Sequence, residues 1–78
     1  MKAPRSVSGD SLIRALERLG YEVMRQKGSH VRLRHKGPPA HTITVARHNP
    51  LKIGTLHGIL SGVAQMRSIS IESIAELF

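Results

Sequence analysis

The chain contains no cysteine and no tryptophan, and Tyr21 and Phe78 are its only aromatic residues. Without cysteine, a disulfide scaffold and a thiolate zinc site are excluded, and the composition fits a reducing compartment. With two aromatics the core has to be aliphatic, and a surface that stacks unpaired bases on a row of rings is disfavoured. No apolar run approaches the roughly 20 residues needed to cross a bilayer, and no hydrophobic leader opens the chain. A soluble, cytoplasmic protein without a membrane partner is therefore expected. Acids are the other scarcity, with five Asp and Glu against twelve Lys and Arg.

The placement of those acids says more than their number. Asp10, Glu17 and Glu22 stand early, Glu72 and Glu76 late, and none lies between Val23 and Ile71. That stretch carries Arg25, Lys27, Arg32, Arg34, Lys36, Arg47, Lys52 and Arg67. Unopposed positive charge on this scale is a footprint for a polyanion, although a solvated basic face reads the same way in sequence. The 78 residues form one expected domain, 1–78. A chain of this size buries only about 60% of its unfolded surface, so its core is thin.

The order of elements follows from periodicity and breakers. Ser8 is a helix cap, with Asp10 near the positive end of the dipole and Val7 and Leu12 placed as a hydrophobic staple. Leu12, Ile13, Leu16 and Leu19 repeat at helical spacing up to Gly20, which predicts a helix over 9–19. Strands are expected over 21–27, 30–36 and 41–47. Gly28-Ser29 forms a two-residue hairpin, and Gly37-Pro38-Pro39-Ala40 a break that cannot donate to a ladder. A second helix over 53–66 follows, with Ile53, Leu56, Ile59, Leu60 and Val63 as its apolar stripe. Gly54, Gly58 and Gly62 line another side, suited either to close packing on the sheet or to a partner groove. Ser70 caps a short last helix that runs through Leu77. The fold class is α+β, with the α-β-β-β-α order of a double-stranded-RNA-binding domain (dsRBD-like): a three-stranded antiparallel sheet, helices on one face and a short C-terminal helix.

The tight first turn sets the faces of the sheet. It puts Lys27 opposite His30 and Arg25 opposite Arg32, with Arg34 on the same side. Met24, Val31 and Leu33 should then point into the core. Like charges directly across a ladder are destabilising, so retaining Arg25 against Arg32 implies a use for the positive field.

Two stretches, Leu19-Gly20-Tyr21 and Arg25-Gln26-Lys27-Gly28-Ser29-His30, resemble the signature of the HicA toxins. The segments Thr44-Val45-Ala46-Arg47-His48 and Gly54-Thr55-Leu56 resemble that family too, and the likeness in element order spans nearly the whole chain. The chain departs from the family at Ala46, where members often carry proline. The resemblance implies the toxin of a type II toxin–antitoxin system. Such a toxin is an mRNA interferase, an endoribonuclease whose Gly-Ser-His histidine, here His30, is catalytic, and it is paired with a HicB antitoxin.

The chemistry is reasonable on its own terms. Metal-free RNA cleavage needs a base for the 2′-hydroxyl proton, and an imidazole suits that task near neutral pH. It also needs fixed cations against the charge that builds on phosphate oxygens. His30 is the expected base, with Lys27 and Arg32 as electrostatic stabilisers. Arg25, Lys27, Gly28, Ser29, Arg32, Arg34 and His48 are the expected RNA-binding residues. Gly28 allows a phosphate to approach the backbone, and Ser29 offers a hydroxyl. His35, His41, His48 and Tyr21 all remain open as proton donors to the leaving oxygen. The five histidines lack tight pair spacing and have no carboxylate near them in sequence, so neither metal nor cofactor is expected. A seryl nucleophile lacks an acid to orient its histidine. The expected partners are mRNA and an acidic, HicB-like antitoxin that covers His30 and the Arg25–Arg34 face. Two alternatives stay open: a non-catalytic module that grips double-stranded RNA, and an adaptor that touches no RNA.

Overall fold

A computed structural model describes residues 6–78 of the chain; residues 1–5 of the expected domain lie outside the described residues. Helix α1 (Gly9–Arg18) is followed by strands β1 (Glu22–Lys27), β2 (His30–His35) and β3 (His41–Ala46). Helix α2 (Ile53–Arg67) and the short α3 (Ile71–Ala75) complete the chain. The strands form one antiparallel sheet in the order β1-β2-β3. The expected α+β architecture is the observed one, and the element ends agree to within one or two residues.

The local reasons are those of the sequence. The Ser8 hydroxyl accepts from the Ser11 N–H at 3.1 Å, and the Ser70 hydroxyl accepts from Ser73 N–H at 3.1 Å. Each cap satisfies a donor that the first turn of a helix leaves free. Gly20, at φ 96°, ends α1, and Gly28, at φ 61°, supplies the first residue of the β1–β2 turn. Leu12 and Leu16 of α1, Leu33 of β2, Val45 of β3, Leu56, Leu60 and Val63 of α2 and Ile74 of α3 make the centre of the core. Burying an aliphatic side chain of this size contributes about 1.5–3 kcal/mol. Thr42, Thr44, Arg32 and Arg34 alternate with these strand residues and remain exposed, so the helices cover one face of the sheet and leave the other open.

Three expectations need correction. Met24 is not in the core but 51% exposed, and Val23 is 45% exposed. The pairing passes from Arg25↔Arg32 to Val23↔Leu33, leaving Met24 as the extra residue of a β-bulge. The bulge puts Val23, not Met24, across from Leu33 and brings Glu22 opposite Arg34. Ile53 is also outside the stripe, 49% exposed at the start of α2. The third correction concerns Gly54, Gly58 and Gly62. A Cβ on any of them would meet nothing within 4 Å, so they are exposed and do not serve close packing on the sheet.

One glycine does serve close packing. A Cβ on Gly9 would stand 2.0 Å from the Ala46 carbonyl oxygen and 2.8 Å from Arg47 Cα. The Gly9 N–H donates to the His48 carbonyl at 2.8 Å, and the Leu51 N–H to the Val7 carbonyl at 2.8 Å. The start of α1 is thus seated directly on the end of β3.

Candidate nucleic-acid interface and active site

The β1–β2 turn brings Lys27 opposite His30, and the register puts Arg25 opposite Arg32 and Thr44 beyond Arg32 on β3. Their side chains share the open face of the sheet. Arg25, Lys27, His30, Arg32 and Thr44 together line a depression of about 250 Å³. All five are exposed. The structure therefore brings together four of the residues singled out in sequence, and it adds Thr44. Period-two alternation from Arg32 would have found that threonine had the β2–β3 register been known.

The other singled-out residues stand around this depression or away from it. Gly28 and Ser29 form the turn that ends at His30. Arg34 is on the same face but one pair further along, between Glu22 and Thr42. His48 is exposed past the end of β3 and does not line the depression; its backbone carbonyl is taken by Gly9.

The basic stretch is less uniform than it reads in sequence. The Arg47 Nε donates to Asp10 Oδ1 at 2.6 Å and its Nη2 to Asp10 Oδ2 at 3.2 Å. This bidentate pair holds the Asp10 carboxyl below its ordinary value of 3.8, with the Arg47 hydrogen bond as the main cause. Glu22 lies 4.0 Å from Lys36, both well exposed. Arg47 and Lys36 are thus answered by acids from outside the acid-free stretch, one of them 37 residues away in sequence. Arg25, Lys27 and Arg32 are left as the cations around His30.

Three of the candidate proton donors belong to a different place. The Tyr21 hydroxyl is 2.6 Å from His41 Nε2, and His41 Nδ1 is 2.6 Å from the Pro39 carbonyl. His35 packs edge-on to Tyr21 and stacks on His41, with ring centroids 4.9 and 5.7 Å away. The Gly37 N–H donates to His35 Nδ1 at 2.8 Å, which assigns the ring proton to Nε2. His35 is 8% exposed, and burial is the main cause that pulls its pKa below the ordinary 6.5, with Arg67 adding to it. Burial likewise raises the Tyr21 phenol above 10.0. His30 and His35 are five positions apart on β2, hence about 17 Å apart along the strand and on opposite faces. Tyr21, His35 and His41 therefore stand together away from the depression at His30.

A family model described as the HicA toxin of bacterial toxin–antitoxin systems matches residues 9–65, well over half of the sequence. The chain belongs to the HicA toxin family. No curated protein and no solved structure matches it. The HicA match runs from the first residue of α1 into the last part of α2, so it contains the whole sheet and the depression at His30. Membership makes the chain a toxin of a toxin–antitoxin pair and implies an antitoxin partner. Among the described residues of this HicA chain, no helix is long and apolar enough to cross a membrane, and no three His, Asp or Glu side chains come together as metal ligands.

Proposed function

We propose that this HicA-family toxin is a metal-independent endoribonuclease that cleaves mRNA in the cytoplasm, with His30 as its general base. The observation that carries the reading is the depression on the helix-free face, in which one exposed imidazole stands among Arg25, Lys27 and Arg32. In the step proposed, neutral His30 takes the proton from a 2′-hydroxyl and that oxygen attacks the adjacent phosphorus. The bond to the 5′-oxygen breaks, leaving a 2′,3′-cyclic phosphate and a 5′-hydroxyl once the leaving oxygen gains a proton. Lys27 and Arg32 oppose the charge that grows on the phosphate oxygens. Tyr21, His35 and His41 stand away from this depression, so His48 and Lys27, the latter paired with His30 across the turn, are the proton carriers left for the leaving oxygen.

Arg25, Arg34, His48 and the Gly28–Ser29 turn extend the RNA contact along the backbone on either side. The face carries no Phe, Tyr or Trp ring, which favours contacts to phosphates and hydroxyls over base stacking. The partner proposed is a HicB-like antitoxin whose acidic surface covers His30 and the Arg25–Arg34 face, drawn there by charge complementarity.

The test is cleavage of single-stranded RNA in excess EDTA by the unaltered protein and by His30→Ala of verified fold. Loss of a general base costs about 10²- to 10⁴-fold. Cleavage by the first alone supports the nuclease. Equal RNA binding without cleavage by either would make the chain a binding module instead.

A further inference from the structure

We propose that Asp10, Arg47 and Gln26 are positioning residues that hold the Gly28–Ser29 turn and so fix where His30 stands relative to Lys27 and Arg32. The inference rests on the nuclease reading of His30 and assigns residues that the reading itself does not use.

Little else restrains this turn on its β1 side. β1 is an edge strand, every residue of it is exposed, and the bulge at Met24 interrupts its pairing with β2. An exposed two-residue turn at the end of such a hairpin is the kind of place that opens locally at small cost. Both of its carbonyls are nevertheless held. Gln26 Nε2 donates to the Gly28 carbonyl at 3.1 Å, and the Arg47 backbone N–H donates to the Ser29 carbonyl at 2.7 Å.

These two tethers are joined to each other and to α1. Arg47 Nη1 donates to Gln26 Oε1 at 3.4 Å, while the rest of its guanidinium is engaged by Asp10 in the first turn of α1. Gly9, beside Asp10, donates to the His48 carbonyl, and the absence of a Cβ there lets the helix sit on β3. A continuous path therefore runs from the capped helix through Asp10 and Arg47 to the two residues before His30, reaching Gly28 by way of Gln26 and Ser29 by the Arg47 backbone N–H. Arg47 is suited to this because its planar fork makes several directed bonds at once, which a lysine cannot. The side chains are half-exposed, so their contribution to global stability is small. Geometry is what they supply, and misplacement of a reacting group by about 1 Å can cost up to 10²-fold in rate.

The competing account treats Arg47 as one more RNA contact. The two accounts part in the kinetics of Asp10→Asn and, independently, Gln26→Ala. Positioning predicts that kcat on single-stranded RNA in EDTA falls about tenfold or more in each, with KM within about twofold, and that Asp10→Glu restores much of the loss. Amide exchange at Arg47, whose N–H holds the turn, should become faster in both variants. Unchanged kcat with a lower KM for Asp10→Asn, the signature of an arginine released to bind RNA, would overturn the proposal. Failure of the unaltered protein to cleave would remove the nuclease reading. The exchange arm would then decide the geometric claim by itself, with faster exchange supporting it and unchanged exchange overturning it.

Discussion

The two ends of β2 each carry a histidine, and the two have been given opposite chemistry. His30 stands at the turn, exposed and ringed by cations. His35 stands at the other end, buried against Tyr21 and His41 with its Nδ1 committed to a backbone N–H. Five residues along a strand reverse the face, and the face decides whether an imidazole meets solvent or core. Residue type alone therefore does not separate the two histidines; the strand register does.

That contrast can be broken most forcefully by truncating each ring in turn. His35→Ala removes the acceptor of the Gly37 N–H and the packing on Tyr21, and it should cost about 1–3 kcal/mol in denaturant unfolding. His30→Ala should stay within about 0.5 kcal/mol of the parent, as is usual for an exposed residue. Equal destabilisation by the two would erase the distinction between the buried and the exposed ring.

Acid sharpens it next. A histidine with a depressed folded pKa binds its proton more readily in the unfolded chain. Its contribution to stability is complete above the unfolded value near 6.5 and is lost as pH falls through the folded value. Thermal stability should therefore decline as pH falls below about 6.5, and His35→Ala should flatten that decline. The Asp10 carboxyl, lowered from 3.8 by Arg47, contributes above that value and loses its contribution only as pH falls below it. A decline in the parent that persists unchanged in His35→Ala would assign the effect elsewhere.

The smallest effect compares the cations of the two ends. Arg32 lines the depression at His30, whereas Arg67 donates to the Pro38 carbonyl near the His35 end. Replacing Arg32 by Ala should reduce the slope of log K against log salt for RNA binding by about one. Replacing Arg67 should leave the slope in place. A matching change for Arg67 would mean that RNA extends past the end of β2.

Much of this was legible in sequence because it depends on short spans. Ser8 and Ser70 cap the first turns they precede, Leu12 and Leu16 fall at helical spacing, and Gly28-Ser29 fixes Lys27 opposite His30 through a two-residue turn. The Gly-Ser-His run then named the family that the match over residues 9–65 shows. Periodicity failed where an edge strand bulged, because one inserted residue shifts every later pairing and an uncovered edge gives no burial to prevent it.

Sequence by itself thus determined the elements, the class of fold and the hairpin that presents His30, since each is settled by neighbours a few bonds or one turn away. Only the tertiary structure decided which charges are paired and which histidines stand together. The Arg47–Asp10 pair closes 37 residues of chain, and Tyr21, His35 and His41 meet from three different segments. Coulomb and hydrogen-bond energies depend on distance through space, and distance through space is what a sequence pattern does not carry.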